Sequence, residues 1–159
     1  MSGRSAKSAG ILLHRRRAGQ LEVLLVHPGG PVWARRDAGA WSIPKGEYDD
    51  EQPLAAARRE FAEELGSPPP AGETIELGEI RQKSGKFVSG WALEGDLEAA
   101  AIRSNTFEMQ WPPRSGRMQA FPEVDRAQWF GLAQAREKLN PAQVTLLERL
   151  VDILEASTS

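Results

Sequence analysis

The stretch Trp41 to Gly66, W-S-I-P-K-G-E-Y-D-D-E-Q-P-L-A-A-A-R-R-E-F-A-E-E-L-G, combines a helical pattern with a cluster of charge. Leu54, Ala57, Phe61 and Leu65 recur at spacings of three and four, which puts them on one stripe able to pack on a core. Pro53 suits a first helical turn, where its missing N–H would have no intrahelical partner, so the pattern predicts a helix starting near residue 52. Asp49, Asp50 and Glu51 are expected to set negative charge at the positive end of its dipole. Gly66 permits the stop, and Pro68, Pro69 and Pro70 forbid continuation.

Glu60, Glu63 and Glu64 fall beside that stripe, within one turn of each other. Their mutual repulsion on an exposed helix costs only about 0.2–0.5 kcal/mol per pair, so a solvated face tolerates them. At the edge of a pocket the same carboxylates would bind a hard cation. With oxygen ligands, no Cys in the chain and no nearby His, magnesium or manganese is favoured over zinc. The residues alone leave both readings open.

The whole window closely resembles the signature of the Nudix hydrolases, G-x5-E-x7-R-E-U-x-E-E-x-G-U, where U is apolar. Glu51, seven residues, then Arg59, Glu60, Phe61, Ala62, Glu63, Glu64, Leu65 and Gly66 meet it position by position. Two departures stand out: four residues, not five, separate Gly46 from Glu51, and Ser67 occupies the last apolar position. The resemblance implies an α/β fold, a Nudix-type α/β/α sandwich with a mixed β-sheet. It further implies Mg²⁺, with Mn²⁺ as substitute, held by Glu60, Glu63, Glu64 and backbone near Gly46. A late loop often adds a carboxylate, for which Glu123 is the candidate, with Asp125 behind it. Glu60, Glu63 and Arg59 form the implied catalytic set. Either glutamate could serve as base, and Arg59 would pair with Glu51 and orient the others.

The implied activity is hydrolysis of a diphosphate linkage in a nucleoside diphosphate derivative. W-S-I-P-K-G resembles the run before this signature in enzymes of dinucleoside polyphosphates, capped RNA ends and diphosphoinositol phosphates, and nucleoside or dinucleoside polyphosphates are the favoured class. Nucleic acid is not an expected partner except as a capped or triphosphorylated RNA end; a monomer or homodimer acting on a small phosphorylated molecule is expected. The alternative is a non-catalytic Nudix-fold module that binds a nucleotide and regulates a partner.

Outward from this window, S-A-G-I-L-L-H (8–14) and L-E-V-L-L-V-H (21–27) read as paired strands joined at Ala18-Gly19. His14 and His27 at their ends read as structural or solvent-facing. Trp41 to Pro44 reads as a short strand. Lys45 just after it would neutralise bound phosphate. In the loop from Val32 to Gly39, Trp33 could meet a base and Arg35 a phosphate. Thr74 to Arg81, Lys86 to Leu93 and Thr106 to Trp111 read as further strands; Lys83 and Lys86 either contact phosphate or keep their hairpin soluble. Leu132 to Leu139 and Pro141 to Ala156 read as closing helices, the second facing the core with Val144, Leu147, Leu150, Val151 and Leu154.

At 159 residues the chain fits one domain, 1–159, with mobile tails expected at 1–7 and 156–159. It has no cysteine, no apolar run near the roughly 20 residues of a membrane span, and no signal-peptide core at its start. A cytoplasmic location is expected. The formal charge of −2 argues against binding nucleic acid through overall charge.

Overall fold

The computed structural model describes residues 6–158. Its central feature is β1 (Lys7–Arg17), whose residues from Ser8 to His14 are all buried, as expected of a strand covered on both faces. β1 runs parallel to β5 (Phe87–Glu94) and antiparallel to β2 (Gln20–Pro28). β4 (Thr74–Arg81) pairs with β5, and β8 (Val124–Gly131) with β2, giving the mixed order β4-β5-β1-β2-β8. β3 (Lys45–Glu47) adds to the start of β1, with Ala9 opposite Gly46.

Period-two alternation divides the core into two layers. Ala9, Ile11, Leu13, Leu24 and Val26 face α1 (Pro53–Leu65) and its Ala57, Phe61 and Leu65. On the other side, Leu12, Val23, Leu25 and Phe130 meet Leu139, Leu146, Leu147 and Leu150. Leu139 follows the end of α2 (Leu132–Lys138), which adds Ala135 to this layer, and the other three belong to α3 (Val144–Thr158). The result is an α/β/α sandwich, as the resemblance implied.

Several local expectations are corrected. Trp41 and Ser42 form only single bridges, to Leu139 and Val26, and the strand begins at Lys45. Pro44 has no N–H to give a ladder, and its carbonyl accepts from Ile11 instead. No acidic residue lies in the first turn of α1, and Gln52 at its N-cap makes no side-chain cap. Glu51 turns to Arg59 instead. In the last helix a short 3-10 turn, Pro141–Gln143, precedes α3; Leu146 is buried where Val144, Val151 and Leu154 are only partly so. Lys7 opens β1 and α3 continues to Thr158, so regular structure reaches into both expected tails; residues 1–5 and 159 lie outside the described residues.

Beyond the main sheet, β6 (Thr106–Gln110) pairs with β7 (Met118–Pro122) as a separate two-stranded ribbon. β7 escaped the sequence reading because M-Q-A-F-P is nearly all exposed and shows no alternation. No helix among the described residues is long and apolar enough to cross a membrane.

Candidate active site

Helix α1 aims its acidic face across β3. Glu60, Glu63 and Glu64 line one open cavity of about 410 Å³ together with Lys45, Gly46, Glu47, Lys86 and Glu123. The fit between helix and strand is close: a Cβ on Gly46 would lie 1.9 Å from Glu60 Oε1, so only glycine lets the carboxylate rest against this backbone. The Lys45 N–H donates to Glu64 Oε1 at 3.2 Å, which ties the strand to the last turn of the helix.

Arg59 gathers the carboxylates from the rim. Its Nε and Nη2 hold Glu51, with distances of 2.9 Å to Oε2 and 2.5 Å to Oε1. Its Nη1 donates to Glu60 Oε2 at 2.6 Å and to Glu63 Oε2 at 2.5 Å. One guanidinium thus links the loop before the helix to two of the three clustered glutamates.

Glu123 arrives from far along the chain. The extended segment 103–105 runs against the end of α1, where the N–H groups of Arg103 and Asn105 donate to the carbonyls of Leu65 and Glu63. The Asn105 carbonyl then accepts from Glu123 N–H, and Ser104 Oγ accepts from Val124 N–H. These bonds hold the β7–β8 corner at the mouth of the cavity. Asp125 does not join it, since its carboxylate meets Nδ1 of the fully buried His27 at 2.9 Å. His27 Nε2 donates to the Arg36 carbonyl, and the ring packs edge-on against Trp41, a structural role.

The electrostatics follow from crowding negative charge in a partly dry space. Burial, with Glu60 and Glu123 adding repulsion, pushes the Glu64 carboxyl up to about 8, against the pull of Lys45. Burial also raises Glu60, which Arg59 opposes. The Lys45 ammonium is held below its ordinary range by burial, and among the described residues it makes no ion pair. Lys86 is engaged with Glu47 at 2.8 Å.

Among the described residues no three carboxylates already converge on one point, because Arg59 occupies one oxygen each of Glu60 and Glu63. The donor set nonetheless fits a hard divalent cation. It is all oxygen, drawn from four glutamates in one cavity, and the second oxygens of Glu60 and Glu63 are free of Arg59.

Of the residues singled out from sequence, Glu60, Glu63, Glu64, Gly46, Glu123, Lys45 and Lys86 line the cavity, and Arg59 braces it. Arg35 and Lys83 are exposed and line neither this cavity nor the apolar cleft beside it. Ser8 and Asn105 also line the cavity and were not anticipated. The Ser8 hydroxyl is buried without a hydrogen-bond partner.

The NUDIX domain family matches residues 4–150. The chain belongs to the Nudix family. Solved structures similar to this Nudix domain include the NUDIX domain of Shewanella oneidensis NrtR complexed with ADP ribose. That pair shares 18% identity with a TM-score of 0.67 over 96% of this chain and 90% of that one. A C. elegans Ap4A hydrolase binary complex has 21% identity and a TM-score of 0.67, covering 94% and 98% of the two chains. A Nudix hydrolase from M. smegmatis, RenU, has 22% identity and a TM-score of 0.59, covering 94% and 86%. At these identities the likeness is one of fold. No curated protein sequence matches the chain significantly.

Proposed function

We propose that this Nudix domain is a Mg²⁺-dependent pyrophosphohydrolase that cleaves a diphosphate linkage in a nucleoside or dinucleoside polyphosphate, with Mn²⁺ as a working substitute. The observation that carries this reading is the cavity that sets Glu60, Glu63, Glu64 and Glu123 opposite Lys45, which makes no ion pair among the described residues. Such a pairing suits an ion and a polyanion together. Glu60, Glu63, Glu64 and Glu123, with backbone oxygen near Gly46, would hold the ion. Once bound, Mg²⁺ would offset phosphate charge and make phosphorus more electrophilic.

The chain's own groups do the rest. Lys45 and Lys86 draw phosphate oxygens toward the cavity floor, Lys86 by exchanging its partner Glu47 for the substrate. Water adds to one phosphorus while the bond from that phosphorus to the bridging oxygen breaks. The water's proton passes to Glu60 or Glu63, and the departing phosphate leaves as the second product. Arg59 keeps both candidate bases in place and withholds one oxygen of each from the ion.

A screen over nucleoside triphosphates, dinucleoside polyphosphates, nucleotide sugars and ADP-ribose, with products identified by mass, tests the proposal. Product is expected only with Mg²⁺ or Mn²⁺, and Glu64→Gln should abolish it. Tight nucleotide binding with no product over hours would overturn it in favour of a non-catalytic nucleotide-binding module.

A further inference from the structure

Gln143, the last residue of the 3-10 turn between α2 and α3, is a polar side chain with no exposure to solvent. Its amide is used at both ends. Oε1 accepts from the Ile43 N–H at 2.9 Å, and Nε2 donates to Ser42 Oγ at 3.0 Å and to Gln82 Oε1 at 2.9 Å. These partners lie on two separate segments. The first leads to Lys45. Along it the Trp41 N–H donates to the Lys138 carbonyl, the Ser42 N–H to the Val26 carbonyl, and Pro44 has no N–H to give. The Ile43 N–H between them is buried, where an unmade bond is costly, and a side chain 100 positions later supplies its acceptor. The second segment leads to Lys86. The Gln82 N–H donates to the Lys86 carbonyl and the Gln82 carbonyl accepts from the Gly85 N–H, which closes the hairpin between β4 and β5. Lys45 and Lys86 both line the acidic cavity.

We infer that Gln143 is a positioning residue for phosphate binding: its one amide, reaching Ile43 and Ser42 on one side and Gln82 on the other, fixes how far apart Lys45 and Lys86 stand at the cavity. The inference rests on the reading of that cavity as the phosphate site. An ammonium on a four-carbon stem is a mobile charge, so two of them grip a phosphate chain together only if their backbones keep a set separation. Apolar side chains would fill the same space but would let the two segments slide past each other. Three directional bonds do not. The turn that carries Gln143 is itself tied to the first segment, because the Asn140 N–H donates to the Trp41 carbonyl at 2.7 Å and the Asn140 side chain accepts from the Ala142 N–H.

The test titrates inorganic tripolyphosphate, a phosphate chain without a nucleoside, into the protein in Mg²⁺ by calorimetry, so no turnover is needed. Gln82→Leu removes the acceptor on the hairpin and leaves the bonds to Ile43 and Ser42 standing. It should weaken tripolyphosphate by about three- to tenfold. Lys86→Met should weaken it by about tenfold or more. Adding Gln82→Leu to Lys86→Met should cost less than about twofold further, because the hairpin then carries no charge to place. Gln143→Met, which frees both segments at similar volume, should cost more than Gln82→Leu, with urea unfolding to confirm that the variant is folded. In an active wild type the Gln82→Leu loss should fall mainly on KM for a nucleoside triphosphate rather than on kcat. Full tripolyphosphate affinity in Gln82→Leu would overturn the inference, and so would additive losses from Gln82→Leu and Lys86→Met. No difference between wild type and Lys86→Met would overturn it by removing the phosphate site on which it rests. A non-additive cycle in a chain that turns over no nucleotide would instead sink the proposed hydrolysis and leave the positioning role standing.

Discussion

The two cavities that meet at Glu123 are built in opposite ways. The acidic one takes Lys45, Gly46, Glu60, Glu63 and Glu64 from a single run of twenty residues. The apolar one joins the end of β2 to a ribbon some seventy residues later, held together by the backbone bonds among Gly29, Asn105 and Glu123. Contiguous chain makes a site of fixed chemistry, because helix and strand geometry sets every spacing. Distant segments make a site whose shape can change with the length and composition of two loops. In this domain the first kind of site would supply the reaction and the second would meet the part of the substrate beyond its phosphates.

The largest expected effect separates the two. Glu64→Gln keeps the side-chain volume but removes a ligand charge, and should lower turnover by about a thousandfold or more. Binding of adenosine, which carries no phosphate, should survive it, read from the change in indole fluorescence. If that variant lost the adenosine signal as well, the cavities would be one unit and the contrast would fail.

A smaller loss is expected at Arg59. It touches three glutamates yet does not line the cavity, so Arg59→Ala should cost about 10–100-fold in turnover or in metal affinity. Higher Mg²⁺ should restore part of the activity, because the glutamates remain and only their arrangement loosens. Arg59→Lys should behave like the alanine variant, since a single ammonium cannot reproduce the forked contact with Glu51. Full activity in Arg59→Lys would show that charge alone suffices.

What the sequence made legible follows the same division. Glu60, Glu63 and Glu64 could be placed on one turn from spacing alone, and the run from Ser8 to His14 could be read as a strand paired with 21–27, though not as one buried on both faces. Glu123 came only through the family resemblance, because the bonds that deliver it join residues eighteen apart in sequence, 105 and 123. Asp125 was an equally acidic neighbour, and burial of His27 on the far side of the strand decided its direction. Arg35 and Lys83 were chosen for charge in a loop and a turn, where charge usually serves solvation, and both are exposed. Ser8 gave no signal, since its place depends on β1 lying between β3 and β5.

A pH scan should reveal the cost of the acidic cavity. Glu64 titrates near 4.5 in the unfolded chain and at about 8 in the folded one. Between those values the folded protein keeps a proton that the unfolded chain has lost, so the metal-free domain should lose stability as pH rises from about 4.5 to about 8. The open cavity screens the effect, and a loss on the order of 2 kcal/mol is expected. Burial of the Lys45 ammonium works in the opposite sense as pH climbs toward 10.5, so the informative quantity is the difference between wild type and Glu64→Gln. That difference should grow with pH, measured by urea unfolding. Saturating Mg²⁺ should reverse the wild-type slope, because the ion competes with the proton. A metal-free wild type with the same slope as the variant would mean that Glu64 is not strained by its surroundings.

The smallest expected effect is at Ser8. Its backbone lies between two neighbouring strands, opposite Glu47 and Val88, while its hydroxyl is buried with no partner. An unsatisfied buried hydroxyl lowers stability, so Ser8→Ala should raise the stability of the metal-free domain by about 0.5–1 kcal/mol. The same substitution should weaken competition by tripolyphosphate by about three- to tenfold, as one lost hydrogen bond to a charged oxygen would. A group that costs the empty fold and helps the filled one belongs with the acidic cavity's strained carboxylates. Nothing comparable is expected of Met109, whose replacement by leucine should leave stability within about 1 kcal/mol. If Ser8→Ala instead destabilised the domain and left tripolyphosphate binding alone, the hydroxyl would be an ordinary part of the sheet, and the difference in kind between the two cavities would rest on the glutamates alone.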